Sequence, residues 1–268
     1  MSEFQFPLKT EIVIIIDSMD DSESELWDLV NSVFNTTNSI HFIIRKNEGN
    51  VGVAESRING LKTSSGSLIH MIDQDDEVNP SFYAKTIATL KSNDIVLVNG
   101  FFKHLKNNKS YKIYYFQPEF TLKNLILDDF LRSPGQVVFR RELLGGITYL
   151  APKKYKGADD RFFWIQIFAV NRNLKAHYIS EPLYVANLHD NNFSNDSLQL
   201  YQSCMELWDL MPKELWFDHE KNVNKNKMAL AFVLGDNKSL NALIEFVLYK
   251  YRVNRIFRFI VKKANLSW

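Results

Sequence analysis

Asp73, Asp75 and Asp76 crowd into the run Asp73-Gln74-Asp75-Asp76. They follow directly on residues 66–72, GSLIHMI, an apolar run that reads as a strand. In open α/β sheets, ligands bind outside the carboxyl ends of the strands. Carboxylates gathered there repel one another unless a cation or a donor compensates. Hard oxygen ligands of this kind suit Mg²⁺ or Mn²⁺, which usually also hold phosphate oxygens. Taken alone, such a run is more often an acidic turn ahead of a helix, here the one opening at Pro80. Two more groups matter. Asp159 and Asp160 head a helical pattern, where a carboxylate serves either as a cap or as a general base. His189 by itself is an ordinary loop histidine.

These residues need a scaffold, and the hydrophobic pattern supplies one. Residues 11–17, EIVIIID, read as a buried strand. Leu26, Leu29, Val30 and Val33 then recur at helical spacing. Strands follow at 40–45, 66–72 and 95–99, with helices at 53–61 and from Pro80 to about Lys91. This alternation predicts a parallel α/β sheet with right-handed crossovers. Residues 101–116 read as an antiparallel hairpin, 136–139 as a short strand, 160–170 as a helix and 177–187 as a strand. From about residue 195 the chain reads as helical, broken at Pro212 and near Gly235.

The order of motifs is more specific than any one of them. The segments NVGVAESRINGL (50–61), GSLIHMIDQDDEVNP (66–80), GADD (157–160) and YVANLHDNNFS (184–194) occur in one sequence. Together they resemble the family 2 glycosyltransferases of GT-A fold, over about residues 10–195. The resemblance implies a mixed, mainly parallel sheet flanked by helices, with residues 1–195 catalytic and 196–268 a helical C-terminal extension. It implies an inverting, metal-dependent transfer from a nucleotide-sugar, with a UDP-sugar as donor. The acceptor would be a saccharide or lipid-linked saccharide in surface polysaccharide synthesis. Asp17 would contact the nucleobase and Arg57 the nucleotide. Asp73 would lie near the ribose, and Asp75 with His189 would hold Mn²⁺ or Mg²⁺. Asp160 would be the general base.

The chain also departs from the family pattern. Ile58 replaces the asparagine of its Ala-Arg-Asn run, Asn187 its arginine before the histidine, and Asp159 its glutamate. Only about ten residues precede the first strand, so a first β-α unit is expected to be missing. Alternatively, residues 11–20 are the family's first strand, with its Asp-Asp-Gly-Ser region deleted. A degenerate, non-catalytic binding or scaffolding subunit is therefore a second reading. A nucleotidyltransferase would need a Gly-rich phosphate loop near the N-terminus, and none is present.

Composition sets the outer bounds. The 268 residues carry 32 Lys+Arg against 31 Asp+Glu, which argues against nucleic acid as a partner. The single cysteine, Cys204, excludes an intrachain disulfide and points to a reducing, cytoplasmic setting. Near the end, Phe246, Tyr249, Val253, Ile256, Phe257 and Ile260 recur at helical spacing beside six Lys and Arg. Such a basic amphipathic helix fits either peripheral attachment to the inner face of a membrane or packing on the catalytic domain. Trp208 and Trp216 read as core residues rather than a sugar platform.

Overall fold

The computed structural model describes residues 9–33, 40–128, 130–189 and 196–253. Strands β1 (Thr10–Ile16) and β2 (Ile40–Lys46) pair in parallel along their whole length. Helix α1 (Glu23–Val33) crosses between them. Ser22 starts it: its hydroxyl accepts the Glu25 N–H at 3.2 Å and donates to the Glu25 carboxylate at 2.9 Å. Val30 packs with Ile16, Phe42 and Ile44 in a small core of their own. Helix α2 (Val53–Thr63) packs on β1.

The second sheet has six strands. They are β3 (Leu68–His70), β4 (Glu77–Val78), β5 (Ile95–His104), β6 (Lys109–Lys112), β7 (Val137–Arg140) and β8 (Ala176–Leu188). The order is β3-β7-β5-β8-β4, with β6 on β5. The mixed character is as expected, and the two longest ladders, β1·β2 and β5·β8, are parallel. Among the described pairings, β1·β2 and β5·β8 are parallel; β3·β7, β5·β7, β4·β8 and β5·β6 are antiparallel. Two of the antiparallel pairings come from one late strand, β7. β3 and β5 run the same way, as the crossover through α3 (Phe82–Leu90) requires. They do not touch, and β7 fills the space between them antiparallel, satisfying the edges of both.

β5 also differs from expectation, being one strand where a strand and a separate hairpin arm were predicted. Ile95–Val98 are buried in the sheet, while Phe101–His104 carry the hairpin. The join is at Asn99-Gly100, where the β5·β8 register shifts. A Cβ on Gly100 would lie 2.3 Å from the Tyr184 carbonyl oxygen, so only glycine fits there. The Asn99 side chain repairs the irregularity, accepting from the Gly100 and Tyr114 N–H groups and donating to the Tyr114 carbonyl.

Helix α5 (Asp159–Val170) is buried on nearly every side, its polar Asp159, Arg161 and Gln166 included, and runs through the main core. Helix α4 (Leu122–Asp128) packs on it. Helices α6 (Ser197–Leu210) and α7 (Glu220–Leu234) give Leu207, Trp208, Val223 and Leu230 to that same core. The boundary near residue 195 therefore does not separate two cores. Trp208 and Trp216 are buried, 6.4 Å apart between ring centroids, and are packing residues.

Helix α8 (Leu240–Val253) follows Gly235 and packs on α7. Phe246, on the apolar stripe read from sequence, stacks on Phe232 of α7 at 5.4 Å. The exposed apolar face is Leu240, Leu243, Ile244 and Val247. The side chains of Tyr249 and Val253, and residues 254–268, lie outside the description. Among the described residues, no helix is long and apolar enough to cross a membrane.

Candidate active site

Because β3 and β8 run the same way, their carboxyl ends lie on one edge of the sheet. The acidic run leaves β3 there and His189 leaves β8. The run is a tight turn, closed by the Asp76 N–H bonding the Asp73 carbonyl at 3.1 Å. Its carboxylates part company. Asp73 and Asp75 stay partly exposed, at 40% and 32% of the side chain. Asp76 turns inward, where the Tyr184 hydroxyl and the Asn187 N–H donate to it. Burial pushes the Asp76 carboxyl up to about 6, against the Tyr184 hydrogen bond and with help from nearby Asp73. Burial and the Asp76 charge hold the Tyr184 hydroxyl far above its usual range, so it stays protonated and donates.

The turn rests on a neutral histidine. His70 Nε2 lies 2.9 Å from the Gly135 carbonyl, which can only accept. Nε2 therefore carries the proton, and Nδ1 accepts from the Tyr83 hydroxyl at 3.0 Å. Burial lowers the His70 pKa to about 4, although the Gly135 bond opposes this. With both nitrogens engaged, His70 is a strut beneath the turn.

Arg57, from α2, joins the turn to α5. Its Nη2 donates to both Asp73 oxygens, at 2.9 and 3.0 Å, and its Nη1 to Asp159 Oδ2 at 2.8 Å. The Tyr149 hydroxyl reaches the same Asp159 oxygen at 2.7 Å. Asp159 is only 2% exposed. Burial alone would lower the Arg57 pKa, but the Asp159, Tyr149 and Asp73 oxygens raise it well above the ordinary value.

The start of α5 is set by its entry turn. Gly157 and Ala158 both take positive φ, 95° and 60°. Ala158 stands in this left-handed region at a cost of about 1–3 kcal/mol, strain of the sort that gathers at functional sites. The turn sends Asp159 into the core and leaves Asp160 half-buried. Asp160 Oδ1 accepts the Arg161 N–H at 2.8 Å. Upstream, the Glu206 carboxylate of α6 accepts the N–H groups of Lys153, Lys154 and Tyr155 at 2.7, 3.1 and 3.2 Å. Ser203 bonds the Gly157 carbonyl. Helix α6 thus fixes the loop that delivers Asp160.

Asp75 Oδ2 meets His189 Nε2 at 3.1 Å. No three His, Cys, Asp or Glu side chains converge on a cation position among the described residues. An Asp–His pair still suits Mg²⁺ or Mn²⁺, which bind through one or two protein ligands and complete their shell with water and substrate phosphates. Asp17 sits apart from this group, at the end of β1. It accepts from Asn47 Nδ2 at 2.9 Å and from the Val51 and Gly52 N–H groups at 2.8 Å. Its visible work is to order the loop leading into α2.

Of the residues singled out by sequence, Arg57 and Asp73 are in direct contact, and so are Asp75 and His189. The structure adds Tyr149 and Tyr184, and gives Asp159, Asp76 and Asn187, already marked by sequence, their bonding partners. Residues 190–195, the rest of the histidine segment, lie outside the description.

An uncharacterized glycosyltransferase of Bacillus subtilis (strain 168), EpsJ, is 23% identical over 194 residues, 69% of this chain and 54% of that protein. The chain thus spans about half the length of this curated relative. S. aureus TarS 1-349 in complex with UDP-GlcNAc superposes with a TM-score of 0.59 at 16% identity, covering 94% of this chain and 75% of that one. TarS 1-349 in complex with UDP gives 0.53 at 16% identity, covering 97% and 84%. These likenesses show the fold. The model of the family described as Glycosyl transferase family 2 matches residues 5–147, more than half of the chain. With that match, on a GT-A fold, the chain belongs to glycosyl transferase family 2.

Proposed function

We propose that this chain is an inverting, metal-dependent glycosyltransferase with a UDP-sugar donor. Its acceptor is a hydroxyl of a saccharide or lipid-linked saccharide in surface polysaccharide synthesis. The observation that carries the reading is the meeting of the Asp75–His189 pair and the Arg57–Asp73–Asp159 bridge at one sheet edge, with Asp160 beside it. TarS, which shares this fold, forms complexes with UDP-GlcNAc and with UDP, and this supports a uridine donor.

Asp160 accepts the proton of the acceptor hydroxyl. The acceptor oxygen forms its bond to the anomeric carbon as the bond to the diphosphate breaks, inverting that carbon and releasing UDP. Asp75 and His189 would hold Mn²⁺ or Mg²⁺, whose charge would offset that developing on the diphosphate. Arg57 fixes Asp73 for the ribose. Asp17 serves the nucleobase chiefly through the loop it orders.

Calorimetric titration with UDP, GDP, CDP and dTDP, each with and without Mn²⁺, tests this. Binding of UDP that requires Mn²⁺ and disappears in Asp75→Ala is the expected result. If no nucleotide binds in the presence of Mn²⁺, the non-catalytic subunit reading takes over. One observation favours that second reading: Arg57, a nucleotide ligand by resemblance, is already spent between two carboxylates.

Attachment to a membrane surface belongs to the same proposal. The exposed face Leu240-Leu243-Ile244-Val247 leads into a segment with six basic and no acidic residues after Glu245. Co-sedimentation with vesicles containing phosphatidylglycerol is expected, with none on neutral phosphatidylcholine. Equal partitioning to both, or to neither, counts against it.

A further inference from the structure

Lys103 is the residue whose position goes beyond its apparent role. It lies on β5 directly opposite Asn187 of β8, so the two side chains leave the sheet on the same face. Asn187 is short and buried. Its Nδ2 donates to the Asp75 carbonyl at 2.6 Å and to Glu77 Oε1 at 3.0 Å. The Lys103 ammonium crosses over this short residue to within 3.9 Å of the same Glu77 oxygen. It therefore ends beside the turn that presents Asp75, the partner of His189. Its partner there is a poor one, since Glu77 is 60% exposed and 3.9 Å is a loose ion pair. Such a pair contributes at most about 1 kcal/mol.

Charge bookkeeping gives the ammonium a better use. A nucleoside diphosphate leaving group carries about three negative charges near neutrality, its terminal phosphate having a second pKa of about 6. A divalent cation offsets two of them. Arg57 cannot supply the rest, because both its terminal nitrogens are bonded to Asp73 and Asp159. Asp76 and Glu77 add negative charge of their own nearby when ionised. A cation on a flexible stem, loosely tethered and one strand from the Asp–His pair, is well placed to move onto a phosphate oxygen.

We propose that Lys103 binds the diphosphate of the donor, leaving Glu77 for a phosphate oxygen when the nucleotide enters. This rests on the nucleotide-sugar reading above. Glu77 then parks the ammonium in the free protein and Asn187 leaves the path clear.

The test is UDP binding in the presence of Mn²⁺, by calorimetry, for wild type, Lys103→Met, Lys103→Arg and Lys109→Met. Lys109 is an exposed lysine on the same hairpin, so its variant removes the same charge away from the crossing. Lys103→Met is expected to weaken UDP by about tenfold or more, the effect of one charge-assisted hydrogen bond. Its melting temperature should match wild type, Lys103→Arg should retain most of the affinity, and Lys109→Met should bind as wild type does. The inference is overturned if Lys103→Met binds UDP normally, or if Lys109→Met weakens it equally. If wild type itself fails to bind UDP, the donor reading falls first and this inference with it.

Discussion

Asp160→Asn is expected to bind UDP with Mn²⁺ as wild type does and yet to lose about 10²- to 10⁴-fold in kcat, the usual contribution of a general base. The amide keeps the size and the bond to the Arg161 N–H, but it cannot take a proton. The expected loss lies in kcat with little change in the donor KM. That split separates proton acceptance from positioning, since a residue that only shaped the loop would disturb substrate binding as well. Turnover of an assigned donor and acceptor, followed by UDP release, is the measurement. Wild-type kcat in this variant would remove Asp160 from the mechanism and pass the base role to another group.

Arg57→Ala has the second large effect, on stability as well as activity. The guanidinium is 13% exposed and is the charged partner of Asp159, which is 2% exposed. Removing it strands a buried carboxylate, which typically costs about 3–5 kcal/mol. Urea unfolding measures this directly. The double variant Arg57→Ala, Asp159→Asn should regain part of the loss, because the stranded charge is gone. Arg57→Lys should not restore wild-type stability, since one ammonium cannot span two carboxylates as the planar fork does. If the double variant were no more stable than Arg57→Ala, the cost would lie in lost packing rather than in an uncompensated charge.

The elements were largely legible because their signals are local. The β-branched run of β1, the alternation of β2 and the breaks at Pro212 and Gly235 are each readable within a short window. The place of β7 was not. Its four residues pair with strands that lie about 40 and 70 positions upstream, and nothing in its own pattern states which gap it fills. The two-residue β4 is too short to carry a period at all.

The site divides in the same way. Asp73 and Asp75 were marked by their clustering at a strand end, His189 only by the resemblance to the family. Asp159 and Asp160 were marked as a pair, but adjacent residues of one type give no hint of which turns inward. That choice is made by the left-handed turn at Gly157-Ala158 and by Arg57, more than a hundred positions earlier. Tyr149 stands in no motif and Tyr184, though it opens the histidine segment, was given no role there; only the folded chain shows them bonded to Asp159 and Asp76.

The late arrival of β7 and β8 bears on how the chain leaves the ribosome. β5 is complete once His104 has emerged, but one edge waits for Val137–Arg140 and the other for Ala176–Leu188. At elongation rates of roughly 5–20 residues per second, the last of these trails His104 by roughly 4–17 s. Until Arg140 emerges the Ile95–Val98 stretch, which ends fully covered, has neither neighbour, and until β8 follows it has only one. The β1–α1–β2 unit, with its own small core, suffers no such delay. The nascent chain thus passes through a stage in which its first sixty or so residues can settle while the central strand stands as a sticky, uncovered edge. That makes β5 the segment a chaperone would hold, and the site where truncated products would aggregate.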